Sequence, residues 1–158
     1  MGRMYTASFS AVAITAIQDM FEIVAPATGI VIIHRARITQ TSDVGDAAEE
    51  MLLVQHTVGY TTSGSGGSSP TVDKHDNGDA AFAGTVEANN TTQALNGTGR
   101  SIVEEAFNIR NGYDYCPTPE ERIILGPSAR YVLELPAAPA DSLTMSGSIT
   151  FEEIGGAV

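Results

Sequence analysis

Tryptophan is absent from this chain, and cysteine and lysine occur once each, as Cys116 and Lys74. A single thiol leaves no intramolecular disulfide to be made, which fits a reducing compartment. Bases are scarce: eight against nineteen acids, a formal net charge of −11. That balance argues against a surface that grips nucleic acid, because phosphate binding needs a clustered basic face. It argues equally against docking on an anionic membrane. Aromatics make up only 6% of residues, which leaves little ring surface for stacking on sugars. No stretch approaches the roughly 18 apolar residues of a transmembrane helix. The mildly apolar N-terminal run is broken by Thr6, Ser8, Ser10 and Thr15, so it lacks the dense apolar centre of a signal peptide. Met1 to Thr6 fits the myristoylation pattern by letter, over a match short enough to arise by chance.

Motifs of catalysis are also missing. Residues 61–72 read TTSGSGGSSPTV, and no lysine follows these glycines as a P-loop requires. The dinucleotide pattern fails as well, since Gly64-Ser65-Gly66 is followed by Gly67-Ser68-Ser69 with no helical periodicity. GxSxG does not occur. Of the three histidines, His34 and His56 read as core or interface residues on the apolar faces of strands, and His75 lies in a polar turn. Cys116 precedes Pro117 with no histidine near it in sequence. Asp73 to Asp79 gathers oxygen ligands and one imidazole without EF-hand spacing, so it reads as a solvated acidic hairpin tip. Asp43, Asp46, Glu49 and Glu50 form a second acidic patch, read the same way. Glu104-Glu105 and Glu120-Glu121 are adjacent pairs, and adjacent strand residues point to opposite faces. The sequons at Asn89-Asn90-Thr91-Thr92 and Asn96-Gly97-Thr98 mean little without a secretory route. No catalytic, cofactor-binding or metal-ligating residue is therefore assigned, and neither a cofactor nor an enzymatic activity is expected.

Period-two alternation, the mark of half-buried strands, is abundant. Leu143, Met145, Gly147, Ile149 and Phe151 share one face, with Thr144, Ser146, Ser148 and Thr150 on the other. Tyr131, Leu133 and Leu135 alternate with Val132 and Glu134. Comparable patterns cover Ile30–Gln40, Met51–Val58 and Ile102–Ile109. Helix candidates are few: Asp46–Val54, which fits a strand better, and one turn at Pro117–Glu121. Turn residues recur at Pro26–Gly29, Ser42–Asp46, Asn111-Gly112, Gly126–Ser128 and Pro136–Asp141. The expected fold class is all-β: an antiparallel β-sandwich, jelly-roll-like, in one domain over residues 1–158. Residues 1–10 are a candidate N-terminal arm. Residues 60–100 are a polar loop and hairpin region, with a hairpin expected about Asn77-Gly78 and a further turn at Asn96–Gly99.

Three segments carry a resemblance: FEIVAPATGIVIIHRARITQTSDVGDAAEEMLLVQ (21–55), GTVEANNTTQ (84–93) and FNIRNGYDYCPTPEERIILGPSARYVLELPAAPADSLTMSGSITFEEIGG (107–156). Together they cover most of the chain and resemble small virion structural proteins of tailed bacteriophages and prophages. The most recognisable piece is the PAAPADS turn with the strand that follows it. The resemblance implies a capsid decoration (cement) protein, made in the host cytoplasm and carried on the capsid surface of the virion. It implies the major capsid protein as partner and a homo-oligomer, with a trimer favoured, and it implies no catalytic residues. Two other virion roles share this composition, a low-copy head–tail protein and a tail accessory protein. A soluble ligand- or carbohydrate-binding sandwich would need an exposed cluster of Tyr60, Tyr113 and Tyr115. A hydrolase on the same scaffold would need His34 and His56 to converge on a metal with a carboxylate such as Glu49.

Overall fold

The computed structural model describes residues 2–41 and 50–155. Strand β1 spans Arg3–Ile14, β2 Gln18–Val24, β3 Gly29–Gln40, β4 Met51–Thr62, β5 Val72–Lys74 and β6 Thr85–Asn90. They are followed by β7 (Leu95–Asn108), β8 (Tyr113–Tyr115), a 3₁₀ turn at Pro119–Glu121, β9 (Ile124–Leu125), β10 (Arg130–Leu135) and β11 (Leu143–Gly155). Two antiparallel sheets face each other. The first runs β5-β1-β11-β3-β8, with β9 also pairing β3; the second runs β6-β2-β10-β4-β7. Setting aside the edge additions β5 and β6, and counting β8 and β9 as one interrupted strand, β1-β11-β3-β8 lies over β2-β10-β4-β7. The chain changes sheet at nearly every connection, which is the jelly roll of the β-sandwich class.

Alternation builds the core. Leu143, Met145, Ile149 and Phe151 of β11 point inward and are fully buried or nearly so. Their outward neighbours are threonines and serines. Gly147 breaks the inward row because Phe9 occupies the space: a Cβ there would lie 2.8 Å from its ring. Phe9 packs in turn against Phe21 of the opposite sheet, the rings tilted with centroids 5.1 Å apart.

Bulges change what alternation alone predicts, among them one at Met20 of β2, where Phe21 pairs Leu133 and Asp19 pairs Glu134. β1 shifts register between Phe9 and Val12, where Ala11 takes φ 54°. β3 shifts across His34, so that Ile33 pairs Phe151 while Arg35 pairs Thr150. The inward set is therefore Val31, Ile33, Ala36 and Ile38, and His34 turns to the outer face. β7 shifts at Ile102, since Val103 pairs His56 and Ser101 pairs Thr57.

Other expectations are corrected. Of the candidate arm, residues 1–10, residues 3–10 instead form most of β1, paired with β11 and β5; Tyr5 and Ala7 within it are fully buried. The turn at Asp76–Asp79 forms, closed by Asp79 N to Asp76 O at 3.1 Å and Gly78 N to Asp76 Oδ1 at 2.8 Å. It does not close a hairpin. β5 joins β1 in one sheet and β6 joins β2 in the other, because Phe82 between them packs against Tyr5 and Phe151. Asn96–Gly99 lies inside β7 rather than in a turn, bulged where Gly97 and Gly59 (φ 75° and 95°) pass each other. The expected turn at Ser42–Asp46 lies outside the described residues.

Candidate functional site

The glycine run is ordered on the fold. Ser65 exchanges two backbone hydrogen bonds with Thr92 (2.9 and 3.0 Å), and Ser68 exchanges two with Ala88 (2.9 and 2.8 Å). Residues 63–68 thus form a strap along the free edge of β6. Glycine permits the approach: a Cβ at Gly67 would lie 2.2 Å from Ala88 O, and one at Gly64 2.6 Å from Thr92 O.

Strap and sheet enclose a row of carboxylates on the outer face of the second sheet. Asp19 and Glu22 of β2 and Glu134 of β10 are all buried. Glu22 accepts from Arg130 Nε (2.6 Å), Ser63 Oγ (2.5 Å), Gly64 N (2.9 Å) and Asn90 Nδ2 (3.3 Å). Glu134 accepts from Thr57 Oγ1 and from Gln93 Nε2 at 3.2 Å. Asp19 accepts from Ala94 N at 2.7 Å and shares the Gln93 amide at 3.3 Å. Burial pushes the Asp19 carboxyl up to about 7; the Ala94 hydrogen bond opposes this and the Glu134 charge adds to it. Burial also raises Glu134, against hydrogen bonds from Thr57 and Tyr60. The row pins two loops, 63–68 and 92–94, to the sheet.

Sequence reasoning missed this row. Glu134 alternates as an exposed residue should, and nothing local to Asp19 or Glu22 says that a segment more than forty positions away covers them. The one available hint was three acids within apolar strands.

Inside the sandwich, His56 sits in a cage of tyrosines. Its ring lies 4.2 Å from that of Tyr115 and 5.8 Å from those of Tyr113 and Tyr131. The hydrogen bonds fix its tautomer. Glu105, a carboxylate, can only accept, so the Tyr113 hydroxyl donates to its Oε2 at 2.7 Å. His56 Nε2–H then donates to the Tyr113 oxygen (2.9 Å), and Nδ1 accepts from the Tyr131 hydroxyl (2.8 Å). The imidazole is neutral, and burial lowers its pKa to about 4. Burial raises the phenols of Tyr113 and Tyr131. This chain emerges at Glu105 in a groove of about 510 Å³ between the edges of β7 and β8, lined by Ile102, Val103, Asp114, Tyr115, Cys116 and Glu121 among others. Asp114 is held there by a bidentate pair with Arg35 (2.8 and 2.5 Å), whose hydrogen bonds lower its pKa.

The residues singled out in the sequence are dispersed. His34 bonds Glu152 at 3.0 Å on the outer face of the first sheet, away from the caged His56, so the two do not converge. Glu49, with Asp43 and Asp46, lies outside the described residues; Glu50 accepts from Ala140 N at 2.6 Å. His75 bonds Thr6 at 2.8 Å. Lys74 braces the acidic tip through the carbonyls of Asn77 and Asp79. Cys116 is exposed and free. Glu104 and Glu105 point to opposite faces, toward Gln55 and Tyr113, whereas Glu120 and Glu121 fall in the 3₁₀ turn rather than a strand. Tyr113 and Tyr115 are buried, so with Tyr60 they make no exposed cluster. Among the described residues no group of three or more histidine, cysteine or acidic side chains could hold a metal ion. No helix there is long and apolar enough to cross a membrane.

No protein-family model matches the chain, and no curated protein does. Among solved structures it shows a faint likeness to one titled "Structure of infectious bursal disease virus Gx strain", at 14% identity over 98% of this chain and 41% of that chain. The TM-score is 0.21, too low to carry an argument about fold or function.

Proposed function

We propose that this chain is a capsid decoration protein of a tailed-phage head, bound to the outside of the shell through the major capsid protein. The observation that carries this reading is how the ionisable groups are used within the jelly roll. Asp19, Glu22, Glu134, Glu105 and His56 are all engaged in hydrogen bonds that tie strands and loops together. These groups hold strands and loops in place, which suits a protein that works by surface complementarity. The resemblance of residues 107–156 to phage virion proteins points the same way, and the net charge of −11 suits a surface kept away from packaged DNA. Weak contacts repeated over a symmetric shell, or joined by self-association, supply the affinity.

An add-back experiment tests this. Heads assembled without the chain are mixed with purified protein and banded on a sucrose gradient. Saturable co-sedimentation with the heads is expected, together with greater resistance of the heads to heat. Protein that stays at the top of the gradient at every concentration contradicts the proposal.

A further inference from the structure

The second sheet has two edges, and the fold treats them differently. The β6 edge is covered by the glycine strap. β7, at the other end, has β4 on one side and no strand on the other among the described residues. It is fourteen residues long and exposed over most of its length. Such an edge invites strand addition unless charges and bulges deter it, and β7 carries both: Arg100, Glu104 and Glu105, with the bulge at Ile102.

The bulge decides which charges share a face. Glu104 pairs Gln55 and bonds its side chain on the outer face. Val103 and Ile102 both line the inner groove with Glu105. Past the bulge, Ser101 pairs Thr57, which is turned outward to Glu134, and Arg100 pairs Val58, which packs against the core. Arg100 and Glu105 therefore face the same way, on either side of Ile102 and Val103. Arg100 is exposed and has no partner among the described residues. Glu105 offers its Oε1, since only Oε2 is taken, by Tyr113. Ile102 is half exposed at 50%.

We infer that β7 pairs antiparallel with β7 of a second copy about a two-fold axis beside Ile102 and Val103, Arg100 of each copy meeting Glu105 of the other at the mouth of the groove. Antiparallel pairing brings residues on opposite sides of the axis face to face, so each ion pair occurs twice. Ser101 and Glu104, both outward, meet in the same register. The charges that discourage an arbitrary strand thus select this one. The sheet continues through both copies, as in strand addition generally. This inference stands apart from the virion reading, and it gives a two-fold pair where the resemblance favoured a trimer.

Sedimentation velocity on the purified full chain tests it. The wild type should run at twice the chain mass. Arg100→Glu and Glu105→Arg, each bringing like charges together, should each raise the dimer dissociation constant roughly tenfold or more. The double variant should recover dimerisation. Ile102→Asp, at a half-exposed position that folding tolerates, should give a folded monomer and guards against misfolding of the Glu105 variant. A wild type at monomer or trimer mass overturns the inference. So does a dimer indifferent to Arg100→Glu and Ile102→Asp, or a folded double variant that stays monomeric.

Discussion

Asp19 and His56 oppose each other in pH. Burial raises the Asp19 carboxyl to about 7 in the folded chain. Its contribution to stability is therefore fully present below its unfolded value near 3.8 and is lost as pH rises through about 7. Burial lowers His56 to about 4, so its contribution is present above 6.5 and is lost as pH falls through about 4. Each slope is at most about 1.4 kcal/mol per pH unit, and between the two folded values they run against each other. Asp19→Asn removes the Asp19 contribution and leaves that of His56. Urea midpoints across this range should show the variant losing stability relative to wild type as the pH falls from 7 toward 4. Parallel curves for the two proteins would refute the raised Asp19 carboxyl. Little of this was legible in the sequence. His56 alternates with apolar residues and reads correctly as core. Asp19 cannot be read so, because its environment is made by Gln93 and Ala94, brought in by the fold.

At the scale of elements, regular strands were legible and bulges were not. β11 follows its alternation from Leu143 to Phe151 because one face is packed on the core and the other is polar. At His34 and Ile102 an inserted residue reverses the faces, and no residue type announces it. The strap is the clearest lesson: its glycines mark close backbone approach, yet their spacing alone does not say to what. Gly67→Ala drives a Cβ into the Ala88 carbonyl and should cost about 1–3 kcal/mol, with hydrogen exchange rising in residues 63–68 and at Ala88. Unchanged exchange would mean that the strap is not held as described. The N-terminus is equally specific. Residues 3–10 fill an inner strand position between β5 and β11, and Tyr5 stacks on Phe151 at 5.7 Å. Deleting residues 2–10 should abolish the cooperative thermal transition seen by circular dichroism. A truncated chain that still melts cooperatively near the wild-type temperature would restore the arm.

For the whole molecule, the jelly roll followed from many short alternating segments, each bounded by turn residues, because two sheets that bury one face apiece leave that imprint on most strands. Function left no comparable imprint. A binding surface defined by shape and repeated copies needs no fixed residue types at fixed spacing, so the decoration reading rests on the resemblance together with a fold in which Asp19, Glu22, Glu134, Glu105 and His56 tie strands and loops together. It makes a quantitative claim about assembly. The most direct measurement is the number of copies of this chain per gradient-purified phage particle, by quantitative mass spectrometry against the major shell protein. Decoration predicts hundreds of copies, in a fixed ratio to the shell subunit. A count of about three to twelve, the stoichiometry of a closed ring at a single vertex or on the tail, or absence from the particle, would contradict it.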